Sequence, residues 1–140
     1  MLVVDASCLY EVVAATELAP RIARHLTADE DQFAPHLIDV EVFGVIRRHH
    51  QLGHLDGTAA RLAIDDLRDW PGERISHTPL LARAWELRTT VRGPDAMYVA
   101  LAEALDAPLL TTDARLSRAP GPRCEVVLPT PAPTTGTDGT

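Results

Sequence analysis

The sequence predicts an α/β sandwich in which a mostly parallel central sheet is flanked by helices. Short apolar runs, Leu2-Val3-Val4, Leu109 to Thr112 and Glu125 to Leu128, stand apart from long stretches with helical apolar spacing. Alternation of that kind builds a parallel sheet through helical crossovers. Two of the runs lead into an acid, Asp5 and Asp113, at strand ends where the working crevice of such a sheet lies. With 140 residues, 46% of them apolar, the chain suffices for one domain with a substantial core.

Leu2-Val3-Val4 reads as a first strand ending at Asp5. Ala6 to Leu18 carries Leu9, Val12, Val13 and Thr16 at helical spacing, and Asp5 or Ser7 is placed to cap that helix. Pro20 suits the first turn of a second helix reaching about Thr27. Asp29 to Gln32 is a polar turn, and Phe33-Ala34 a short strand that Pro35 ends. Leu37 to Leu52 reads as a helix closed by Gly53, and Asp56 caps another running to Trp70, where Pro71-Gly72 stops it. Glu73 to His77 is short and ambiguous. Leu80 to Val91 reads as a helix with Leu81, Ala84, Trp85 and Leu87 on its apolar face, and Gly93-Pro94 separates it from a helix over Asp95 to Asp106. Pro108 breaks that helix, and strands follow at Leu109 to Thr112 and Glu125 to Leu128. The domain is therefore expected over residues 1–128. Residues 129–140, P-T-P-A-P-T-T-G-T-D-G-T, offer no core side chain and read as a disordered tail. There is no internal repeat.

The net charge of −7 argues against a nonspecific nucleic-acid coat but not against a nuclease, because an acidic metal site contributes to that charge. All 13 basic residues are arginine. Arginine suits bidentate phosphate contacts, although a compositional bias of the source genome accounts for the absence of lysine equally well. Cys8 and Cys124 form no disulfide framework and no ligand spacing, and read as buried free thiols. No apolar run approaches a membrane span and Asp5 interrupts any secretory pattern, so a cytoplasmic location is expected.

Four carboxylates stand apart from the other acids. Asp5 and Asp113 follow apolar strands. Asp95 opens an apolar helix that advances about 1.5 Å per residue, roughly 16 Å to Asp106, and a strand from Pro108 returns about as far at about 3.3 Å per residue. Asp95 and Asp113 therefore finish at the same edge if strand and helix pack antiparallel. On a helical wheel Glu41 falls among Leu37, Ile38, Val45 and Leu52, where an unpartnered carboxylate is costly. Each acid has an ordinary alternative role: Asp5, Asp95 and Asp113 as caps, Glu41 as a partner of Arg48 one heptad along. Acids drawn to one place repel, and a divalent cation is the natural group to sit among them.

L-V-V-D-A-S, the helix containing Glu41, P-D-A-M-Y-V-A-L-A-E-A-L and P-L-L-T-T-D-A-R-L together resemble a PIN domain. Their order and the chain length are most similar to the ribonuclease toxins of bacterial VapBC-type toxin–antitoxin pairs, over about residues 1–128. The resemblance implies a three-layer PIN-like sandwich and an acidic metal site at Asp5, Glu41, Asp95 and Asp113, with Ser7, Thr111 or Thr112, and Arg115 in support. Gly93-Pro94 departs from the family pattern, as do Leu116, Ser117 and Arg118, where some relatives carry a further acid. The resemblance further implies Mg²⁺- or Mn²⁺-dependent endoribonuclease activity leaving a 5′-phosphate and a 3′-hydroxyl, a homodimer, and a cognate VapB-type antitoxin peptide bound in a groove of the early helices and the Glu41 helix. An antitoxin arginine entering the acidic pocket would account for inhibition.

Other chemistry finds less support. His50 and His54 are four apart, a zinc-binding spacing on one helix face, but Gly53 is expected to end the helix between them and no third ligand is near. His49 and His50 suit the negative end of that helix. Cys8 has no recognisable base, and no glycine-rich phosphate loop occurs. A phosphoacceptor receiver domain shares the strand-end aspartates but relies on a lysine that this chain lacks. A catalytically inactive PIN-like protein-binding module is the other alternative.

Overall fold

Val3, Val4, Leu109 and Leu110 are fully buried, and they form the centre of the sheet. A strand covered on both faces reads as a continuous apolar run rather than an alternating one, which is why these segments were legible. A computed structural model of the chain describes residues 1–129; the tail expected over 129–140 falls, from residue 130 on, outside the described residues. The strands are β1 (Leu2–Val4), β2 (Gln32–Pro35), β3 (Glu73–Ile75), β4 (Leu109–Leu110) and β5 (Val126–Val127), in the order β3-β2-β1-β4-β5 with every pairing parallel.

The helices are α1 (Ala6–Val13), α2 (Ala19–Ala28), α3 (Leu37–Gln51), α4 (Gly57–Asp69), α5 (Leu81–Glu86), α6 (Gly93–Leu105) and α7 (Ala114–Arg118). Strand order runs outward from β1 through β2 to β3, then crosses back to β4 and β5. Right-handed crossovers therefore put α1 to α4 on one face and α5 and α6 on the other. The order reverses between β1 and β4, and the carboxyl ends of those strands deliver Asp5 and Thr111 to the switch point.

Several elements differ from expectation. The first helix stops at Val13, well short of Leu18, because Ala15 adopts a left-handed backbone (φ 52°) and Thr16 ties back to the Glu11 side chain. The Leu80 to Val91 helix is a 3-10 turn over Thr78–Leu80 followed by α5, which ends at Glu86. Gly93 and Pro94 do not separate α6 from its neighbour; they are its first residues, and Arg92 occupies the N-cap position. Asp106 ends α6 in a left-handed conformation.

The ambiguous Glu73 segment is β3, which pairs with β2 from Phe33↔Glu73 to Pro35↔Ile75. Arg74 gives it a structural purpose. Its guanidinium donates to the Leu67 and Trp70 carbonyls at the end of α4 (2.8 and 2.7 Å), to the Gly72 carbonyl, and by two bonds to Asp39 on α3. It also lies 4.9 Å from the Trp70 ring centroid. Trp70 folds back over Gly72, where a Cβ would sit 2.1 Å from the ring, so glycine is required there. This clasp ties α4 and the sheet edge to α3 two residues from Glu41.

Leu9 and Val13 of the first helix, Ile22 of the second and Ile46 of the Glu41 helix are buried core. Val40, Phe43 and Leu62 are exposed, and a groove of about 390 Å³ lined by Val40, Phe43, Ile64 and Leu67 runs between α3 and α4. Among the described residues no helix is long and apolar enough to cross a membrane.

Replacing Arg74 by Met removes a charged fork that makes five hydrogen bonds and leaves the Leu67 and Trp70 carbonyls to find other donors. Urea unfolding should show a loss of about 2–3 kcal/mol. A loss under about 0.5 kcal/mol would show that water replaces the clasp.

Candidate active site

Asp5 occupies the N-cap position of α1, yet its side chain makes no cap hydrogen bond. Its backbone N–H closes the ladder with the Leu110 carbonyl at 3.0 Å, so the carboxylate stands over the end of β1. There Oδ2 accepts from the Ser7 hydroxyl (2.7 Å) and the Thr111 hydroxyl (2.8 Å). Both hydroxyls are fixed from behind: Ser7 Oγ accepts from the Thr112 N–H at 3.1 Å, and Thr111 Oγ1 accepts from the Asp113 N–H at 3.1 Å. Each hydroxyl thus has its proton aimed at Asp5 and its lone pair at the backbone. Thr112 contributes its amide to this lattice, whereas Thr111 contributes its side chain. Asp5 is 7% exposed and Thr111 fully buried. Burial pushes the Asp5 carboxyl above its ordinary range, and the two hydroxyls pull against that shift.

Glu41 projects from α3 toward α6, where the Tyr98 hydroxyl donates to Oε1 at 2.8 Å. Its partner is therefore Tyr98, not the Arg48 that the heptad spacing offered. Burial raises the Glu41 carboxyl, the Tyr98 bond lowers it, and Asp5 and Asp95 raise it further. Burial and then the Glu41 charge push the Tyr98 phenol far up, so it stays protonated and acts only as a donor to Glu41. Tyr98 was not singled out in the sequence. The signal was present: an aromatic three residues after Asp95, on the same face of a helix otherwise built from small and aliphatic residues.

Asp95 is the third residue of α6 and not its cap. Burial raises its carboxyl, Asp5 and Asp113 raise it further, and Arg92 and Arg115 partly offset them. Asp113 is the N-cap of α7: its Oδ1 accepts from the Arg115 N–H at 2.9 Å and lies 3.6 Å from the Arg115 guanidinium Nε. Arg115 is 70% exposed, so that ion pair is solvent-screened.

Asp5, Glu41, Asp95 and Asp113 open onto one cavity of about 570 Å³ at the carboxyl edge of the sheet. Arg48, His49 and Arg92 also line it. A smaller cleft of about 190 Å³ continues past Asp95 and Asp113 and is lined by Arg92 and Arg115. Acids from four separate elements, each raising the pKa of a neighbour, form a donor set of hard oxygens that suits a divalent cation. Among the described residues no three ligating side chains close into a cage. The set fits an ion that keeps several of its waters, as Mg²⁺ does. Cys8 plays no part here: it is fully buried, and burial with the Asp5 charge pushes its thiol up to about 12.

The chain matches the family model described as "PIN domain" over residues 2–122. It is 41% identical over 127 residues to Ribonuclease VapC1 of Mycobacterium tuberculosis, covering 90% of this chain and 96% of that protein. Among solved structures it superposes on the sarcin–ricin loop cleaving toxin VapC20 of M. tuberculosis with a TM-score of 0.65 at 16% identity, covering 84% of this chain and 94% of the other. It also superposes on a toxin–antitoxin complex from Klebsiella pneumoniae with a TM-score of 0.64 at 20% identity, covering 94% and 100%.

The raised carboxyls fix a pH dependence. Asp95 and Glu41 hold their protons to higher pH in the folded chain than in the unfolded one, so their contribution to stability falls as pH rises from about 4 through the raised values. In chelator, Asp95→Asn should melt above wild type at pH 7, and the gap should close toward pH 4. A variant that melts below wild type at pH 7 would show that the carboxylate is internally compensated.

Proposed function

This chain belongs to the PIN domain family, and on that premise we propose that it is a metal-dependent endoribonuclease, the toxin of a type II toxin–antitoxin pair. The observation that carries the reading is the convergence of Asp5, Glu41, Asp95 and Asp113 on one cavity at the sheet's switch point. The ribonuclease relatives supply the substrate class. A receiver domain is set aside, since the chain has no lysine and matches the PIN model.

When bound, an ion of the Mg²⁺ or Mn²⁺ class would be held by Asp5, Glu41, Asp95 and Asp113, and would supply charge neutralisation at phosphate and an acidified water. The chain's own residues prepare that chemistry. Ser7 and Thr111 hold the Asp5 carboxylate in one orientation through hydroxyls that the backbone has already oriented. Tyr98 fixes one oxygen of Glu41 and leaves the other to accept from a water, so Glu41 orients the nucleophile or joins the ligand set. Arg92 and Arg115 line the continuing cleft, where their guanidiniums contact phosphate oxygens of a strand that the net charge of −7 would otherwise repel. Attack in line with the departing 3′-oxygen leaves a 5′-phosphate and a 3′-hydroxyl.

The partner is a VapB-type antitoxin, and the groove lined by Val40, Phe43, Ile64 and Leu67 offers an exposed apolar surface on α3 and α4 for a helix of that partner. Leu81 and Trp85 form a separate exposed apolar pair on α5, available to a second copy of the chain. An antitoxin arginine placed among the four acids would inhibit by occupying the cation's position.

The test uses the full chain, purified free of partner, on a structured RNA with and without Mg²⁺ or Mn²⁺. Asp5→Asn and Asp95→Asn should each lower cleavage by about a hundredfold or more while keeping the fold, and Tyr98→Phe by roughly 10–100-fold, as loss of an outer-shell hydrogen bond does. Cleavage by both aspartate variants at the wild-type rate would defeat the assignment. Failure of the folded wild type to bind Mn²⁺ would favour a protein-binding module with a silent site.

A further inference from the structure

The sequence offered His50 and His54 as a pair, but the chain folds His54 onto His49. Gly53 takes a left-handed backbone (φ 79°) at the end of α3, and its N–H donates to the His50 carbonyl at 3.0 Å. The next amides turn back over the same turn, His54 N–H to the His49 carbonyl at 2.9 Å and Leu55 N–H to the same oxygen at 3.4 Å. This glycine-closed helix end holds the two imidazoles with centroids 5.2 Å apart and their Nδ1 atoms 3.0 Å apart. The His49 ring also stacks on Tyr10 at 5.2 Å and 21°. His50 is committed elsewhere: its Nδ1 donates to the Leu55 carbonyl at 2.9 Å.

Two ring nitrogens facing at that distance repel lone pair against lone pair unless a proton or a metal ion lies between them. The spacing says which metals fit. With metal–nitrogen bonds of about 2.0–2.1 Å, a 3.0 Å span subtends roughly 95° at the ion, whereas a tetrahedral centre needs a span of about 3.3 Å. A right-angled imidazole pair is the arrangement of square-planar and tetragonal Cu²⁺ and Ni²⁺ sites. We propose that His49 and His54 form a cis-imidazole site for a Cu²⁺- or Ni²⁺-class ion, separate from the carboxylates. Because His49 lines the acid-bearing cavity, the ion sits at its mouth. No third ligating side chain joins the pair among the described residues, so water fills the remaining positions. Nitrogen ligands favour these later metals, while the carboxylate set favours harder ions, so the two sites differ in chemistry as well as in place.

Ni²⁺ alone, and Cu²⁺ alone, titrated calorimetrically into the full chain, tests the site on wild type, His54→Ala, His49→Ala and Asp95→Asn. The expected result is a saturable ion that Asp95→Asn retains at wild-type affinity, apart from any ion the carboxylates take. Each histidine variant should bind it at least tenfold more weakly, since loss of a direct ligand should cost no less than the roughly 10–100-fold typical of an outer-shell partner. His54 is exposed, so His54→Ala should melt at the wild-type temperature without metal and lose only the metal-induced rise. Wild-type affinity in both histidine variants, weakening confined to Asp95→Asn, or no saturation below millimolar metal would each overturn the proposal.

Discussion

Electrostatic repulsion among carboxylates is the constraint around which this chain is built. Burial raises the carboxyls of Asp5, Glu41 and Asp95; Asp5 and Asp95 raise Glu41 further, and Asp5 and Asp113 raise Asp95 further. A structure that kept such groups only for stability would pair each with its own guanidinium. Elsewhere the chain does this readily: Arg74 with Asp39, and Arg83 with Glu103 and Glu86. In the cavity the partners are hydroxyls on Asp5 and a phenol on Glu41, groups that orient a carboxylate without cancelling its charge. The pair at Asp113 is long and exposed. Among the described residues, Arg48 and Arg92 line the same cavity without an ion pair to any of the four acids, and it is this acidic edge on which the proposed cation site rests.

The fold serves that arrangement through its topology. Parallel strands send all their carboxyl ends to one edge, and the reversal between β1 and β4 opens a crevice there. Asp5 and Thr111 arrive directly on those strand ends. Glu41 and Asp95 arrive on helices, α3 and α6, which meet through the Glu41–Tyr98 bond. The Arg74 clasp secures α3 from the far side through Asp39. Stability and the site are in tension: the lattice of Ser7, Thr111, Thr112 and Asp113 holds in place a carboxylate whose burial is unfavourable by itself.

Much of this was legible in the sequence where a residue's position violated an ordinary preference. Asp5 and Asp113 stood at the ends of continuously apolar strands, and Glu41 interrupted an apolar stripe. The parallel sheet followed from the spacing of strands and helices. What escaped was tertiary in origin. β3 holds a single apolar residue, Ile75, and owes its strand character to pairing with β2 and to the partners of Arg74. The first helix looked continuous because alanine favours helices, but the chain turns at Ala15. Tyr98 was not singled out, because its spacing from Asp95 was the one local hint and only the packing of α3 against α6 brings its hydroxyl to Glu41. His49 and His54 are five apart, a spacing with meaning only after Gly53 has reversed the chain.

The most direct test of the central claim is the number of protons released when Mn²⁺ binds the wild-type chain, measured by calorimetry near pH 5 in buffers of different ionisation enthalpy. Carboxyls that hold protons above their ordinary range must give them up to the metal, so binding should release protons near pH 5 and progressively fewer toward pH 8. Mn²⁺ binding with no proton release at any pH, or no Mn²⁺ binding by the folded chain, would contradict the account.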